Sequence, residues 1–170
     1  MHFTKRTHSC GQVHLGLKGE IVTLNGWAHK VRDLGGVCFV DLRDRTGLCQ
    51  IILRPSEFSQ LNEIKPETCL SITGKVEERS AETKNTRMAT GEIEIIASHY
   101  MILGSSLPLP FPITDEKQMQ FVNEELRIKY RYLDLRRPFS YRKLALRSAA
   151  IKKIRDFLDN EGFLEIETPI

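Results

Sequence analysis

No stretch of this chain approaches the roughly 20 consecutive apolar residues that a membrane-spanning helix needs, and residues 1–20 hold no continuous apolar core of the kind a secretory signal carries. A cytoplasmic protein is the expectation. The four cysteines, Cys10, Cys38, Cys49 and Cys69, form no CxxC and no close-spaced cysteine pair that histidines could complete, so no metal site is expected. Neither GxxxxGK[ST] nor GxGxxG occurs, which removes the common phosphate-cradling loops. Repeats and low-complexity tracts are absent too. What remains is ordinary globular material: 170 residues, 41% hydrophobic and 28% charged. A net charge of +3 and a pI near 8.7 permit a polyanionic partner without demanding one.

Residues 20–103 read as five short strands separated by turn signals. "EIVTLNGWAHKVRD" is the first. Val22 and Leu24 alternate inward, and Gly26 is expected to mark a bulge after which Trp27 and Val31 face the core. "GVCFVDLRD" and "LCQIIL" follow, joined by the turn "DRTG". "PSEFSQLNEI" has helical spacing, and "CLSITGKVEER" and "GEIEIIASHYMIL" supply the last two strands. Five strands with a helix between the third and fourth predict an OB-fold, a five-stranded Greek-key barrel, and hence a mainly β protein.

After Leu103 the composition shifts. Pro108, Pro110 and Pro112 mark a stiff linker. Two helices are expected beyond it, one with Leu126, Tyr130 and Leu133 as its apolar stripe and ending at Pro138. The other has Ala150, Ile154, Phe157 and Leu158 as its stripe and Gly162 at its stop. "FLEIETP" alternates like a strand. The expected division is a barrel domain over residues 1–104, a linker and hinge helix over 105–140, and the start of a second, α+β domain over 141–170.

The outward face of the barrel is the unusual one. Cys38, Val40 and Leu42 take the core phase of their strand, which leaves Phe39 outside among charged residues. The same phase puts Arg32, Gln50 and Glu94 outside on neighbouring strands. A flat ring, a cation, an amide and a carboxylate suit unpaired bases: the ring stacks, and the polar groups meet base edges or phosphate. An outward ring can also pack beneath a loop, so the pattern of the whole face carries more weight than Phe39 alone.

Four segments, "GWAHKVRDLGGVCFVDLRDRTGLCQ", "MATGEIE", "RIKYRYLDLRRP" and "GFLEIETP", occur in the order and spacing of bacterial-type aspartyl-tRNA synthetases, which the chain resembles over residues 8–170. The resemblance implies an N-terminal OB-fold that reads the aspartate anticodon, GUC, of tRNA(Asp). It implies that Phe39 stacks on the middle uracil, that Arg32, Gln50 and Glu94 contact anticodon bases, and that Arg79 and Asn85 lie near the loop. "KKIRDFLDNEGFLEIETP" resembles motif 1 of class II synthetases, the homodimer interface in that family, with Ile154, Phe157 and Pro169 as interface residues. The family's ATP, magnesium and aspartate sites belong to motifs beyond residue 170, so no catalytic residue is expected in this segment. ATP and magnesium are implied only for a longer parent ligase. "HLGL" at His14 and "SYRK" at Ser140 lack the companions that would make them catalytic signatures. A stand-alone single-stranded nucleic-acid-binding OB protein, or a segment of an asparaginyl or lysyl enzyme, are the alternatives.

Overall fold

The computed structural model describes residues 5–114, 118 and 120–169. The chain divides into two compact units, Met1–Leu109 and Pro110–Ile170. The first is a closed five-stranded barrel. Its strands are β1 (Ile21–Asp33), β2 (Cys38–Arg43), β3 (Leu48–Leu53), β4 (Cys69–Glu78) and β5 (Ile93–Gly104). They are ordered β1-β2-β3-β5-β4, with β4 pairing back onto β1. Only the β3–β5 pairing is parallel, through Ile51↔Ile95 and Ile52↔Ile96. Closure leaves no free sheet edge.

Strict alternation builds the core. Val22, Leu24, Val40, Leu42, Cys49, Ile51, Leu53, Leu70, Ile72, Val76 and Ile95 have no exposed surface, and Cys10 and Val13 from the segment before β1 join them. Apolar burial on this scale is the main source of the barrel's stability. The cysteines are free thiols, and burial pushes the Cys49 thiol up to about 12, which keeps it protonated. Asp44 fixes the β2–β3 turn: one carboxylate oxygen accepts from the Thr46 amide (2.7 Å) and hydroxyl (2.6 Å), and the other from the Cys10 amide (2.8 Å).

Two expectations for the barrel are corrected. The inward phase runs unbroken through Gly26 to Ala28, and the register slips between Ala28 and Lys30 instead. Trp27 is therefore outside, 38% exposed, while Val31 packs partly against the core. Gly26 is required by close approach, since a Cβ there would sit 2.5 Å from the Arg43 carbonyl oxygen. The segment after β3 is not an α-helix but turns with a short 3-10 piece, Leu61–Glu63. Gln60 is left-handed (φ 66°), which interrupts any helix, and tertiary contacts reward the break. Phe58 packs edge-to-face on Tyr100 at 5.4 Å, and the Tyr100 hydroxyl donates to the Ser59 carbonyl at 2.7 Å.

The second unit holds α1 (Glu124–Lys129), α2 (Arg131–Asp134) and α3 (Pro138–Asn160). The Asn123 side chain caps α1 by accepting from the Glu125 amide. The first expected helix is thus two short ones broken at Tyr130 (φ −107°, ψ 45°) rather than one; its expected beginning at residues 115–117 and 119 lies outside the described residues. Pro138 opens α3, its missing N–H harmless at that position. Gly162 is left-handed (φ 83°) and the Phe163 amide donates back to Leu158, which closes the helix. Residues 163–169 form no strand, because an alternating pattern becomes a strand only where a neighbouring strand takes its backbone hydrogen bonds. Among the described residues no helix is long and apolar enough to cross a membrane.

Candidate nucleic-acid interface

The outward residues of β1, β2, β3 and β5 and the loop over residues 80–92 enclose one cleft of about 560 Å³. Its lining includes all six residues singled out from the sequence: Arg32, Phe39, Gln50, Arg79, Asn85 and Glu94. The strand pairing explains the convergence. Arg32 lies opposite Phe39 across β1–β2, Phe39 opposite Ile52 across β2–β3, and Asp41 opposite Gln50. Gln50 faces outward by phase yet is only 9% exposed, so it forms floor rather than rim.

Phe39 is half-buried, and the Arg32 guanidinium lies 5.9 Å from its ring centroid. Asp41 accepts a 2.8 Å hydrogen bond from Arg32, an ion pair between a side chain 41% exposed and one 15% exposed. Asp41 is the charged cleft residue that sequence reasoning missed, beside Leu34, Ile52, Ser80 and Thr83 of the lining. Its signal was there: it shares the outward phase of Phe39, two positions away.

Arg79 behaves differently from a surface cation. Only 4% of it is exposed, its Nε donates to the Ile93 carbonyl at 2.8 Å, and its Nη1 reaches the Thr83 carbonyl at 3.5 Å. Its Nη2 is buried with no hydrogen-bond partner among the described residues. Glu94 stands across from it, Oε2 at 3.9 Å from Nε, a separation too long for a good hydrogen bond. Burial lowers the Arg79 value, partly offset by Glu94, and burial raises the Glu94 carboxyl above the ordinary glutamate value, partly offset by Arg79. In both groups desolvation outweighs their mutual attraction, so the pair is undersatisfied. A polar ligand edge in the cleft would supply what both lack.

The loop that carries Asn85 is tightly built. The Asn85 amide N–H donates to the Gly91 carbonyl at 3.0 Å, and a Cβ on Gly91 would sit 1.9 Å from the Asn85 carbonyl oxygen, so only glycine fits. Thr90 ties the loop to β3 by donating its hydroxyl to the Leu48 carbonyl at 2.5 Å. Asn85 Oδ1 accepts from the Arg87 amide at 3.1 Å, which leaves the side-chain nitrogen to donate. Ionisable groups on the lining cancel: Arg32 and Arg79 against Asp41 and Glu94. The cleft is polar, partly aromatic and formally neutral.

Residues 22–103 match the OB-fold nucleic acid binding domain family, and residues 123–170 match the class II tRNA synthetases for D, K and N. The aspartate–tRNA(Asp/Asn) ligase of Geobacillus sp. (strain WCH70) is 48% identical over 169 residues, covering 97% of this chain and 28% of that protein. That of Magnetococcus marinus is 46% identical over 170 residues, 98% of this chain and 27% of the relative. This chain belongs to the bacterial-type aspartate–tRNA ligases, as their N-terminal region. It spans little more than a quarter of the length of these curated relatives. Its barrel is the family's anticodon-binding OB domain, followed by the start of the class II domain. The fold is shared with the asparaginyl-tRNA synthetase from Pyrococcus horikoshii complexed with asparaginyl-adenylate, at a TM-score of 0.80 and 22% identity over 99% of this chain and 37% of that one.

The three residues assigned by resemblance to a dimer interface, Ile154, Phe157 and Pro169, lie on α3 and the segment after it, and all are exposed. No group of three His, Cys, Asp or Glu side chains suited to a metal ion occurs among the described residues.

Proposed function

We propose that this cleft holds the aspartate anticodon, GUC, of tRNA(Asp). Phe39 stacks on the middle uracil, Arg32, Gln50 and Glu94 meet base edges, and Arg79 and Asn85 donate from the wall beneath the loop. The observation that carries this reading is the convergence of these residues on one cleft in which Arg79 Nη2 is buried without a hydrogen-bond partner among the described residues. A buried unpaired donor costs about 1–3 kcal/mol, and a bound acceptor recovers it. A neutral lining recognises bases rather than a phosphate backbone, because it gathers affinity from stacking and edge contacts instead of counterion release.

Aspartate activation with ATP and magnesium, and transfer to tRNA in a cytoplasmic homodimer, are the proposed activity of the longer ligase. Within this segment the role is recognition, with Ile154, Phe157 and Pro169 proposed for the dimer contact. The relatives' names include tRNA(Asn) as well, so the third anticodon base is part of the test. A panel of anticodon stem-loops with each of the three bases varied in turn, titrated against the chain, should rank GUC first or level with GUU. Equal binding of every loop would contradict the reading.

A further inference from the structure

The cleft's neutrality depends on Asp41. Asp41 stands between the ring and the floor of the cleft: opposite Gln50 in the β2–β3 register, two positions from Phe39, and hydrogen-bonded to Arg32 at 2.8 Å. Its side chain is 15% exposed, too covered for its charge to be fully screened by solvent, yet it lines the space a ligand would fill. Of the two arginines of the cleft, Arg79 is locked by the carbonyls of Ile93 and Thr83. Arg32, 41% exposed, is the cation a phosphate could reach.

We propose that Asp41 is a positioning and specificity residue that makes the cleft select bases over phosphates. Its carboxylate holds the Arg32 guanidinium over the Phe39 ring, 5.9 Å from its centroid, and neutralises it. Arg32 then presents its remaining N–H groups to an uncharged base edge, while a phosphate entering the cleft meets Asp41 as well as Glu94 at close range. The cost of placing like charges together excludes the backbone, and the ring admits the base. This inference rests on the nucleic-acid reading of the cleft.

Asp41→Asn keeps the side chain's shape and an oxygen for Arg32 to donate to, but leaves the cleft with one net positive charge. The test is a fluorescence titration of the 170-residue chain with a GUC stem-loop and a scrambled-loop stem-loop across a salt series. In the variant, the gap between cognate and scrambled loops should narrow by at least about fivefold, the effect of one charge at about 4 Å under full screening by water. The dependence of log K on log salt should steepen by about 0.7 for the added single-strand phosphate contact. The steeper salt dependence should vanish when Asp41→Asn is made in an Arg32→Gln background, which has no freed cation to take a phosphate, and the loss of discrimination should shrink; a merely structural role would produce neither. Unchanged discrimination and salt slope in the variant would overturn the proposal, as would equal weakening of both loops with a lowered melting temperature. If the wild-type chain itself fails to tell the two loops apart, the anticodon reading falls and the inference with it, an outcome distinguishable from the others before any variant is made.

Discussion

Leu24, Leu42, Ile51, Ile72 and Ile95 of the barrel meet one another and expose nothing, whereas the apolar stripe of α3 leaves Ile154 58% and Phe157 63% exposed, with no residue of that helix buried. Both regions carry a clear apolar periodicity. The difference is where the partner surface lies. Each barrel strand finds its complement within the same unit, because closure turns every inner face toward the same interior. The α3 stripe stays exposed among the described residues, and a helix in a protein draws most of its stability from packing of its apolar face. Periodicity announces that a face needs cover; it does not say what covers it.

The sharpest way to break this contrast is a pair of truncations. Ile95→Ala removes a fully buried side chain where the parallel β3–β5 pairing closes the barrel, and should cost about 2–5 kcal/mol. Ile154→Ala should change the stability of this chain by less than about 0.5 kcal/mol, as at an ordinary surface position. Chemical denaturation followed by far-ultraviolet circular dichroism separates the two. Comparable losses would mean that α3 buries its stripe after all. Amide hydrogen exchange sharpens the same contrast without mutation: residues 144–169 should exchange much faster than β2 and β5. Similar strong protection in both regions of a dilute, monomeric sample would contradict it.

Much of the barrel was legible because β alternation is a period-2 code. The phases of Cys38 to Leu42, of Cys49 to Leu53 and of Ile93 to Ala97 fix both the core and the outward face, and Phe39, Gln50 and Glu94 follow from that phase alone, as Arg32 follows from the end of β1. Arg79 and Asn85 could not be found this way. They lie at the end of a strand and on a loop, where position depends on the glycine-dependent turn around Gly91 and the tether from Thr90 to β3. The failures have physical causes too. Phe58 and Tyr100 override helical spacing after β3, and the slip after Ala28 turns Trp27 outward. The strand expected at 163–169 finds no neighbouring strand to pair with among the described residues.

A smaller effect concerns protons in the cleft. Burial holds the Glu94 carboxyl above the ordinary glutamate value, and Arg79 recovers only part of that penalty. With a raised folded-state value, this group's contribution to stability is present below its unfolded pKa and is lost as pH rises through the folded one, so ionised Glu94 slightly destabilises the barrel at neutral pH. Binding should run the other way. As pH falls through the raised value, Glu94 loses its role as an acceptor and loop affinity should decline, at a higher pH than an ordinary glutamate would titrate. Glu94→Gln should flatten that decline in a pH series of stem-loop titrations and leave stability equal or slightly higher. An unchanged pH profile in the variant would remove Glu94 from the contact surface. Smaller still is the exposed pair of Arg155 with Glu165 at 2.8 Å: Glu165→Gln should shift the helicity of α3 hardly at all, because exposed pairs contribute little.

The central claim is that the outward ring of β2 exists to carry a base, and the direct measurement is the affinity of wild type and Phe39→Ala for a GUC anticodon stem-loop, with thermal unfolding recorded on the same samples. The account predicts a loss of about 1–3 kcal/mol in binding, the worth of one stacked base, with the melting transition nearly unmoved because the ring lies on the outer face of β2. A variant that unfolds early yet binds the loop as tightly as wild type while folded would contradict it, and would make Phe39 part of the barrel's packing rather than its recognition surface.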